Sequence, residues 1–557
     1  MVYVPPITQA EFLQILQKCI PPTGWPKRLA VANSGGPDST CLLYLMSSLI
    51  REKKGKPGLP QSIVSIHVNH KLQAAADDMA NHAAKTANIL SVPHFGTEIP
   101  WGSHPFPAKP VDGTPMEHHA RRSRFNRLFE AMTALKASCL AFGQHADDQV
   151  ETAIMRLATG SGALGASGMS PIRRWGMGGI TELEFNGYEG MNRFIIRPFL
   201  EVSKDRILAT CEANNLEYVT DHTNFQPDIA LRNKIRAILT ERLKYPNQDD
   251  TESSAPTSVS EQEAKFHKAI RKLGDEAFHT EGRAGLYDSV KRISDKVQTI
   301  NLKVTNILRR VRLPSPPSTI LISTEDLQTI TDVEVAIALS RRIMRHISPF
   351  PYGHISAEAK GNRSGFEDLV RKVWSGGMGD DEKDTHAWCF GSHVLWSPVT
   401  LTANGRVRWR PPRSPDEKAA WLISREPPMS PTRWQQNGKV DPLTTDVTLI
   451  LNKRLVAGDT ARVLYDCRFL ISFFVDRMPD SIKASLADPA QNASIVIEPH
   501  TKFYLPKVVL RREGYKDEVL TVAEWKMGAA WDRWKFHFRP ATKGWIGVKY
   551  VRPWSHI

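Results

Sequence analysis

The segment SGGPDS, residues 34–39, joins an apolar strand to an apolar helix and contains residue types that suit phosphate binding. Its glycines permit backbone conformations in which N–H groups point into the loop. The helix expected to begin near Ser39 adds unpaired N-terminal amides, which attract anions. No lysine occupies the place that the Gly-Lys-Ser/Thr nucleotide loop requires. The segment predicts a phosphate site, and a strand-turn-helix connection without a ligand stays open as the alternative.

Three carboxylates in the segment ADDQVET, those of Asp147, Asp148 and Glu151, are the next candidates for chemistry. If a helix begins at about Ala146, their spacing of three and four residues places them on one face near its N-terminus. Acidic residues in a first turn often serve only as helix caps. Beside a triphosphate site the same carboxylates suit Mg²⁺ or an amine substrate, and the nearby phosphate loop favours this second interpretation.

These residues need an alternating chain of strands and helices to bring them together. SIVSIHVNH and SCLAFGQH are typical of buried strands, and AAADDMANHAAKTANIL has helical spacing. The alternation predicts an α/β fold with a doubly wound, mostly parallel sheet, whose ligands bind at the carboxyl ends of the strands. The groups at predicted strand ends are the loop 34–39 and His67, His70, His145, Asp147 and Asp148.

The composition limits the class of protein. The chain has 557 residues, which suggests three domains or so, and a formal net charge of +14 that indicates a polyanionic partner. No run of about 18 apolar residues occurs, so no membrane span is expected. Six cysteines lie far apart without CxxC or zinc spacing, which favours free thiols in a reducing compartment.

Several motifs together resemble one family. SGGPDS looks like the signature of the PP-loop ATP pyrophosphatases, and GQHADDQVETAIMRLATGSGALGASGM is similar to the corresponding helix and Gly/Ser-rich segment of tRNA(Ile)-lysidine synthases. MEHHARRSRFNRLFE resembles the family's E-x-x-x-R-x-x-R-aromatic helix. RPFLEVSKDRILATCEANNLEYVTDHTNFQPDIALRNKIR resembles its R-P-L, D-x-x-N and R-N-x-I-R elements. The resemblance covers roughly residues 28–243.

The resemblance implies a reaction. These enzymes use ATP to adenylate the C2 carbonyl oxygen of the wobble cytidine in a CAU-anticodon tRNA(Ile). The amine of free L-lysine then displaces AMP and forms lysidine. The implied cofactors are ATP and Mg²⁺, and the implied partners are this tRNA and lysine.

The same resemblance implies roles for individual residues. The catalytic candidates are Asp38, Asp147, Asp148, Glu151 and Arg121. The nucleotide would be bound by Ser34, Gly35, Gly36, Asp38, Ser39, His67, His70 and His145, with Asp38 a candidate ligand for Mg²⁺. The RNA-binding candidates are Arg124, Arg197, Arg232 and Arg236. Each arginine has a structural ion pair, for example with Glu117 or Asp221, as its alternative.

The chain also departs from the family. Asn69 occupies a position where the family commonly has aspartate, so no role is transferred to it. Residues 102–115 and 173–193, rich in Gly, Pro or both, are typical of inserted surface loops.

We predict a catalytic domain over residues 1–245, a polar linker over 246–264, a helical and possibly tRNA-binding domain over 265–380, and a mainly β domain over 386–557. The β-like runs of the last part include TLILNKRLVA, RFLISFFVD and ASIVIEP. Its end, WDRWKFHFRPATKGWIGVKYVRPW, alternates aromatic and cationic residues. Such a pattern suits stacking on unpaired bases, and it is equally how a strand builds a core.

Other functions have partly similar patterns. A tRNA thiolase shares the phosphate loop, although the members that use metal clusters or paired cysteines need CxxC elements that this sequence lacks. A non-catalytic RNA-binding protein would be expected to have lost the loop or the acids, and a small-molecule synthetase would need no RNA. Together with the resemblance, the insertions and the long C-terminal part predict a mitochondrial, fungal-like member without a clear presequence, and the alternative location is the cytoplasm. The sequence predicts no oligomeric state.

Overall fold

The computed structural model describes residues 3–53, 58–73, 75–110, 116–220, 231–244, 261–274, 282–357, 363–374, 386–391, 393–402, 406–427, 443–526, 535–539 and 544–552. These residues group into two compact units. Unit 1 contains residues 1–175, 181–186 and 192–299, and unit 2 contains residues 176–180, 187–191 and 300–557.

Unit 1 is built on a six-stranded sheet, with the strand order β3-β2-β1-β4-β6-β5. The strands are β1 (Arg28–Ala32), β2 (Ser62–Asn69), β3 (His94–Glu98), β4 (Cys139–Ala141), β5 (Ile172–Arg174) and β6 (Phe194–Ile196). All neighbours are parallel except β5, which pairs antiparallel with β6. This mostly parallel sheet confirms the predicted fold class.

Helices accompany this sheet, and some of them pack on each of its two faces. They are α1 (Gln9–Gln17), α2 (Pro37–Glu52), α3 (Ala76–Ile89), α4 (Met116–Ala134), α5 (Ala146–Ala158), α6 (Lys204–Ala213), α7 (Leu231–Lys244), α8 (Glu261–Gly274) and α9 (Gly282–Val311). α2 begins with Pro37, whose fixed φ and missing N–H suit the first helical position. The described helices include none that is long and apolar enough to cross a bilayer.

The central strand β1 is buried on both faces. Leu29 and Val31 pack into one apolar cluster, with side chains of α1 and α2. Ala30 points the other way, into a second cluster with side chains of β2 and α4. Because successive side chains of a strand alternate between faces, a continuous apolar run is what a doubly covered parallel sheet requires.

The strand order reverses at the centre of this sheet. β1 lies between β2 and β4, so the connections from β1 and from β4 leave toward opposite sides. Ligands of doubly wound proteins bind at such a switch point, outside the carboxyl ends of the two strands. The loop 34–39 follows β1, and the acidic helix α5 follows β4.

Within its described residues, unit 2 contains three antiparallel sheets, ordered β11-β10-β12-β8-β7 with β9 on β10, β13-β16-β17-β18-β19, and β14-β15-β20. The strands are β7 (Arg312–Leu313), β8 (Ile320–Ser323), β9 (Trp388–Cys389), β10 (Val394–Leu401), β11 (Val407–Arg408), β12 (Lys418–Arg425), β13 (Thr445–Asp446), β14 (Thr460–Tyr465), β15 (Phe469–Phe474), β16 (Ser494–Pro499), β17 (Pro506–Arg511), β18 (Glu518–Lys526), β19 (Lys535–Arg539) and β20 (Ile546–Tyr550). Its helices are α10 (Thr324–Gln328), α11 (Val333–Ile347), α12 (Arg363–Trp374), α13 (Thr448–Ala457) and α14 (Asp480–Ala487).

The prediction for TLILNKRLVA was wrong, because this segment is the helix α13. Val447 and Leu451 are buried, and Leu455 packs against the same cluster, so the apolar contacts repeat every four residues. The Asp446 carboxylate accepts a hydrogen bond from the Thr448 N–H (2.8 Å), and Gly458 ends the helix with a φ of +69°. The spacing of the apolar residues outweighs the strand preference of the individual side chains.

The segment 173–193 is more than a surface loop. Trp175 and Leu183 are buried in the core of unit 1. Met177 and Met191 are completely buried in a cluster of unit 2 with Leu470 and Val551. These apolar side chains anchor the segment, which corrects the expectation that it lies on the surface. Residues 111–115 of the other expected loop lie outside the described residues.

The aromatic C-terminal stretch is described only in part. Trp545 packs against Phe473, with ring centroids 5.9 Å apart, and Tyr550 packs against Phe469 at 5.6 Å. These two aromatics therefore belong to the core of unit 2. Trp531, Trp534 and Trp554 lie outside the described residues.

The predicted four-part division of the chain stays a prediction. The boundary between the two units falls after residue 299, inside α9. In addition, β8 comes from the predicted helical region and pairs with β12 of the predicted β region. The linker 246–264 lies mostly outside the described residues.

Candidate active site

The loop after β1 is closed by side-chain hydrogen bonds. The Asn33 Oδ1 atom accepts a hydrogen bond from the Gly35 N–H (3.0 Å), and the Ser39 Oγ atom accepts one from the Ser34 N–H (3.1 Å). The Ser39 hydroxyl also donates to the Gly36 carbonyl (3.0 Å). The first-turn amides of α2 have no acceptor within the helix, so they are available to an anion beside the loop.

Two glycines permit the close packing around this loop. Gly35 has a φ of +82°, and a Cβ atom there would lie 3.0 Å from the Met79 carbonyl oxygen. A Cβ atom on Gly143, in the turn after β4, would lie 2.8 Å from the carbonyl carbon and oxygen of Asp38. The turn after β4 therefore touches the first turn of α2, which brings the two predicted site segments together.

The two predicted histidines of β2 have different positions. His67 is buried, and its Nδ1 lies 2.8 Å from the Asn33 carbonyl oxygen. Burial lowers the pKa of His67, which favours the neutral ring. The contact with the Asn33 carbonyl stabilises the start of the loop. His70 makes local contacts instead: its Nδ1 accepts the Leu72 N–H, and its carbonyl accepts the Trp101 indole N–H.

His145 lies among three carboxylates at the N-terminus of α5. Its Nε2 is 3.7 Å from Asp38 Oδ1 and 3.6 Å from Asp148 Oδ2, and its Nδ1 is 3.3 Å from Asp147 Oδ2. Burial of His145 opposes its protonation, but these carboxylates outweigh burial and raise its pKa. The His145 ring therefore lies between Asp38, in the loop after β1, and the two aspartates in the first turn of α5.

Lys204 is a site residue that the sequence prediction missed. Its ammonium lies 2.5 Å from Asp38 Oδ1, and its backbone N–H donates to Asp147 Oδ2 at 3.1 Å. Lys204 is the first residue of α6 and follows the RPFLEVS segment at the carboxyl end of β6. The sequence feature that could have indicated it is a lysine at the start of the helix that follows β6, the next parallel strand after β4 in the sheet.

Two further missed residues come from α9. The Tyr287 hydroxyl donates to Asp147 Oδ1 at 2.7 Å, and the Arg283 guanidinium lies 3.6 Å from the same atom. Burial raises the pKa of Asp147, but the nearby His145 ring and the hydrogen bond from Tyr287 outweigh burial and hold the pKa well below its ordinary value. Asp147 is therefore a stable anion with nearly all of its acceptor positions in use.

Glu151 faces a different partner from the two aspartates. It is 2% exposed, and its Oε1 receives hydrogen bonds from Arg236 Nε (2.9 Å) and NH2 (2.8 Å). Burial raises its pKa despite the arginine. Arg232, one turn away on α7, donates to the Thr152 hydroxyl at 3.3 Å. Both arginines thus join α7 to α5, Arg236 through an ion pair and Arg232 through a hydrogen bond to a hydroxyl. Their role in RNA binding stays a prediction.

The remaining predicted arginines form a basic region beside the site. Arg197 is buried, donates from Nε to the Gln144 side chain and from NH1 to the Ser170 carbonyl (3.0 Å), and has its pKa lowered to about 9 by burial. Three nearby guanidinium groups lower that pKa further, those of Arg173, Arg121 and Arg156. Arg121 is exposed and lies 5.3 Å from the centre of the Phe125 ring, and Arg124 is half-buried on the same helix.

The chain resembles proteins of known type over its first part. Residues 6–243 match the family model ATP_bind_3, a PP-loop domain. The tRNA(Ile)-lysidine synthase of Bacillus subtilis is 32% identical over 232 residues, which are 40% of this chain and 41% of that protein. The one from Symbiobacterium thermophilum is 35% identical over 221 residues, which are 39% and 40% of the two chains. The match thus spans less than half the length of either relative.

A solved structure also aligns with the chain. It is the U34-tRNA thiolase NcsA from Methanococcus maripaludis with its 4Fe-4S cluster, at 16% identity, with a TM-score of 0.32, covering 52% of this chain and 79% of that one. Residues 6–243, which lie largely in unit 1, thus match a PP-loop domain in sequence, and the mostly parallel sheet of unit 1 is of the PP-loop fold.

Proposed function

We propose that this protein joins lysine to C2 of the wobble cytidine of CAU-anticodon tRNA(Ile), through an adenylated tRNA intermediate, with release of AMP and pyrophosphate. One observation is the main support: the phosphate loop and the acidic start of α5 meet, with Asp38 Oδ1 3.7 Å from His145 Nε2. The relatives that match residues of unit 1 are tRNA(Ile)-lysidine synthases. The activity, the tRNA and the lysine are proposals for this chain.

ATP would bind with its phosphates on the loop 34–39 and the N-terminus of α2. Lys204 is placed to exchange its contact with Asp38 for a phosphate oxygen, since the ammonium and the loop meet at that carboxylate. Positive charge there would neutralise the phosphate charge that increases as pyrophosphate leaves.

Mg²⁺ fits this arrangement through Asp38. The side chain of Asp38 is 30% exposed beside the loop, and Mg²⁺ usually takes one or two carboxylates together with substrate phosphates. When bound, it would supply further neutralisation of phosphate charge. Among the described residues no group of three or more His, Cys, Asp or Glu side chains is arranged to hold a metal ion.

The cytidine C2 carbonyl oxygen would attack the α-phosphorus of ATP, and the P–O bond to pyrophosphate would break. The oxygen, now bonded to AMP, becomes a leaving group. The amine of lysine then attacks C2, AMP leaves with that oxygen, and the amine nitrogen gives up a proton. The protein's main task is to position these reactants.

The two aspartates suit different parts of this reaction. Asp147 already has donors on both carboxylate oxygens and a lowered pKa, which suits an electrostatic anchor for an ammonium group better than a base. Asp148 accepts one hydrogen bond from the His145 N–H at 3.0 Å and is the better placed proton acceptor. The basic region around Arg197 suits the RNA backbone, with the exposed Arg121 placed to reach a phosphate.

The test is ATP-dependent transfer of labelled lysine to a CAU-anticodon tRNA(Ile) transcript. Wild-type protein should label this tRNA, and Asp147→Asn should lose about a hundredfold or more in rate, in the range of a misplaced reactant once the charged anchor for the lysine ammonium is gone. A CAU-anticodon tRNA(Met) transcript is the matched control, because it has the same anticodon on a different tRNA body.

The alternatives predict different results. AMP formation with tRNA binding but without lysine transfer would keep the PP-loop chemistry and assign another second substrate. tRNA binding without AMP formation would indicate a non-catalytic RNA-binding protein. The mitochondrial location stays a prediction.

A further inference from the structure

An exposed tryptophan on unit 2 lies beside a lysine. Trp409 is 58% exposed, and the Lys502 ammonium lies 3.6 Å from the centre of its ring and 5.2 Å from the Phe503 ring. Trp409 directly follows the edge strand β11. One face of the indole thus interacts with a cation while more than half of the side chain remains accessible to solvent.

The surroundings of Trp409 are strongly basic. Residues 406–418 include five cations, Arg406, Arg408, Arg410, Arg413 and Lys418, and two acids, Asp416 and Glu417. Glu417 forms a two-pronged ion pair with Arg410, at 2.5 and 2.7 Å, and Lys418 pairs with Glu325. Arg406, Arg408 and Arg413 are exposed, and within the described part of the chain none of their guanidinium groups forms an ion pair with a carboxylate within 4 Å. Glu417 does accept a hydrogen bond from the Arg413 backbone N–H at 2.7 Å.

The backbone beneath these side chains is held in place. β11 pairs with β10 through Thr400↔Arg408 and Leu401↔Val407. Val407 and Phe503 pack against an apolar cluster that contains Val399 and Leu422. Because the backbone that carries Trp409 is already held in place, little conformational entropy of the protein is lost when a ligand binds.

A second exposed aromatic of unit 2 shows what distinguishes this surface. Tyr515 is 68% exposed and lies 5.5 Å from the Arg512 guanidinium. Arg512, however, forms an ion pair with Glu518 at 2.6 Å, and Asp517 lies nearby in sequence. At Tyr515 the local charge is cancelled, whereas around Trp409 three guanidinium groups and a lysine remain available.

From this we infer that Arg406, Arg408, Trp409, Arg413 and Lys502, the Trp409 surface, bind unpaired nucleotides of an RNA. A base would stack on the exposed part of the indole, and the cations would contact the phosphates on either side. Exposed aromatics combined with cations are how proteins bind single strands, because each base has a π face and each linkage a negative charge. The identification of this RNA as a tRNA rests on the proposed function. The inference that the Trp409 surface binds RNA does not depend on it.

Fluorescence anisotropy of the full-length protein with a labelled single-stranded RNA of about 12 nucleotides tests this inference. Trp409→Ala should weaken binding about tenfold or more, whereas Trp409→Phe, which keeps a ring, should restore most of it. Arg408→Gln should lower the slope of log affinity against log salt by about 0.7, the value for one phosphate contact on a single strand. Tyr515→Ala is the matched control and should bind like wild type.

Several outcomes would overturn the inference. One is equal affinity of wild type and Trp409→Ala for the RNA, with unchanged thermal unfolding of both. Another is a Trp409-dependent affinity for an acidic peptide such as polyglutamate with none for RNA, which would assign the surface to an acidic protein segment. The assay contains neither ATP nor lysine. Failure of lysine transfer with intact Trp409-dependent RNA binding would therefore reject the proposed function alone.

Discussion

Both units contain a cluster of charged side chains, but the cluster of unit 1 is partly exposed to solvent and that of unit 2 is enclosed. In unit 1, Lys204 and His145 contact the carboxylates of Asp38, Asp147 and Asp148 at the carboxyl ends of β1 and β4. Lys204 and Asp38 are 29% and 30% exposed, so a ligand can reach their ion pair. These partners are side chains that a bound phosphate or ammonium can replace.

In unit 2, a second charged cluster is enclosed. The Asp466 side chain is 2% exposed and forms ion pairs with Arg425 and Arg468. The buried Arg552 donates to the carbonyls of Ser348 (2.8 Å) and Phe350 (3.1 Å), and also to that of Arg345. Carbonyl acceptors belong to the backbone and cannot move aside for a ligand.

The comparison shows that buried charge alone does not identify a functional site. The cluster of unit 2 joins the segment after α11 to β14, β15 and β20, so its role is structural. The cluster of unit 1 is partly exposed, has partners that can be exchanged, and lies beside a loop and a helix N-terminus that suit an anion. Variants from the two clusters should therefore affect different properties.

The largest expected effect comes from Asp466→Asn. It leaves Arg468 in unit 2 without its compensating charge, which should lower the free energy of unfolding by about 3 kcal/mol. Urea unfolding measures this change. The activity per folded molecule should be unchanged, and a loss of activity at full stability would contradict the structural role.

A change with the opposite profile is Lys204→Met. Loss of a charged contact to phosphate should raise the KM for ATP about tenfold or more, with little change in stability. Lys18→Met removes an exposed ion pair with Glu201 (2.8 Å) and is the matched control. Equal KM values for the two variants would remove Lys204 from the nucleotide site.

The contact between α2 and the turn after β4 can be tested by Gly143→Ala. The added Cβ would lie 2.8 Å from the Asp38 backbone, so we expect a loss of about 1–3 kcal/mol in unfolding free energy and weaker ATP binding. Gly162→Ala is the control, because it has no atom within 4 Å of its added Cβ and no positive φ. If both variants bind ATP like wild type, the two site segments do not depend on this contact.

The smallest effects separate the two buried histidines by pH. The raised pKa of His145 predicts a stabilisation that is fully present below about pH 6.5 and is lost as the pH rises through the folded-state pKa. In unit 2, burial lowers the pKa of His346. The positive charges of Arg552, Arg312 and Arg468 lower this pKa further. Its contribution is therefore present above about pH 6.5 and lost as the pH falls.

The free energies of unfolding of His145→Asn and His346→Asn should be measured in urea across this pH range. Their differences from the wild-type value should change with pH in opposite directions. The His145 variant should lose most at low pH. The His346 variant should gain stability relative to wild type as the pH falls. Slopes of the same sign would mean that the two rings do not have the opposite environments described here.

Local patterns were sufficient for part of this protein. The continuous apolar run of β1, the glycines after it, and the acidic residues at the start of α5 predicted the parallel sheet and the phosphate loop. They also predicted that Asp147 and Asp148 lie at a strand end. These features depend on backbone preference and on spacing within one element. TLILNKRLVA shows the limit, since its β-branched and apolar residues favoured a strand while its spacing of four formed α13.

Which charges meet was decided by the packing of distant elements. Lys204 lies 166 residues from Asp38, and Tyr287 lies 140 residues from Asp147, so no spacing rule connects them. The same holds for Glu151, whose place on α5 was predictable but whose pairing with Arg236 depends on where α7 packs. The sequence by itself determined the phosphate loop and the acidic helix, because both arise from neighbouring residues. Only the tertiary structure decided which cation faces each carboxylate, because that depends on how helices from separate parts of the chain pack at the end of the sheet.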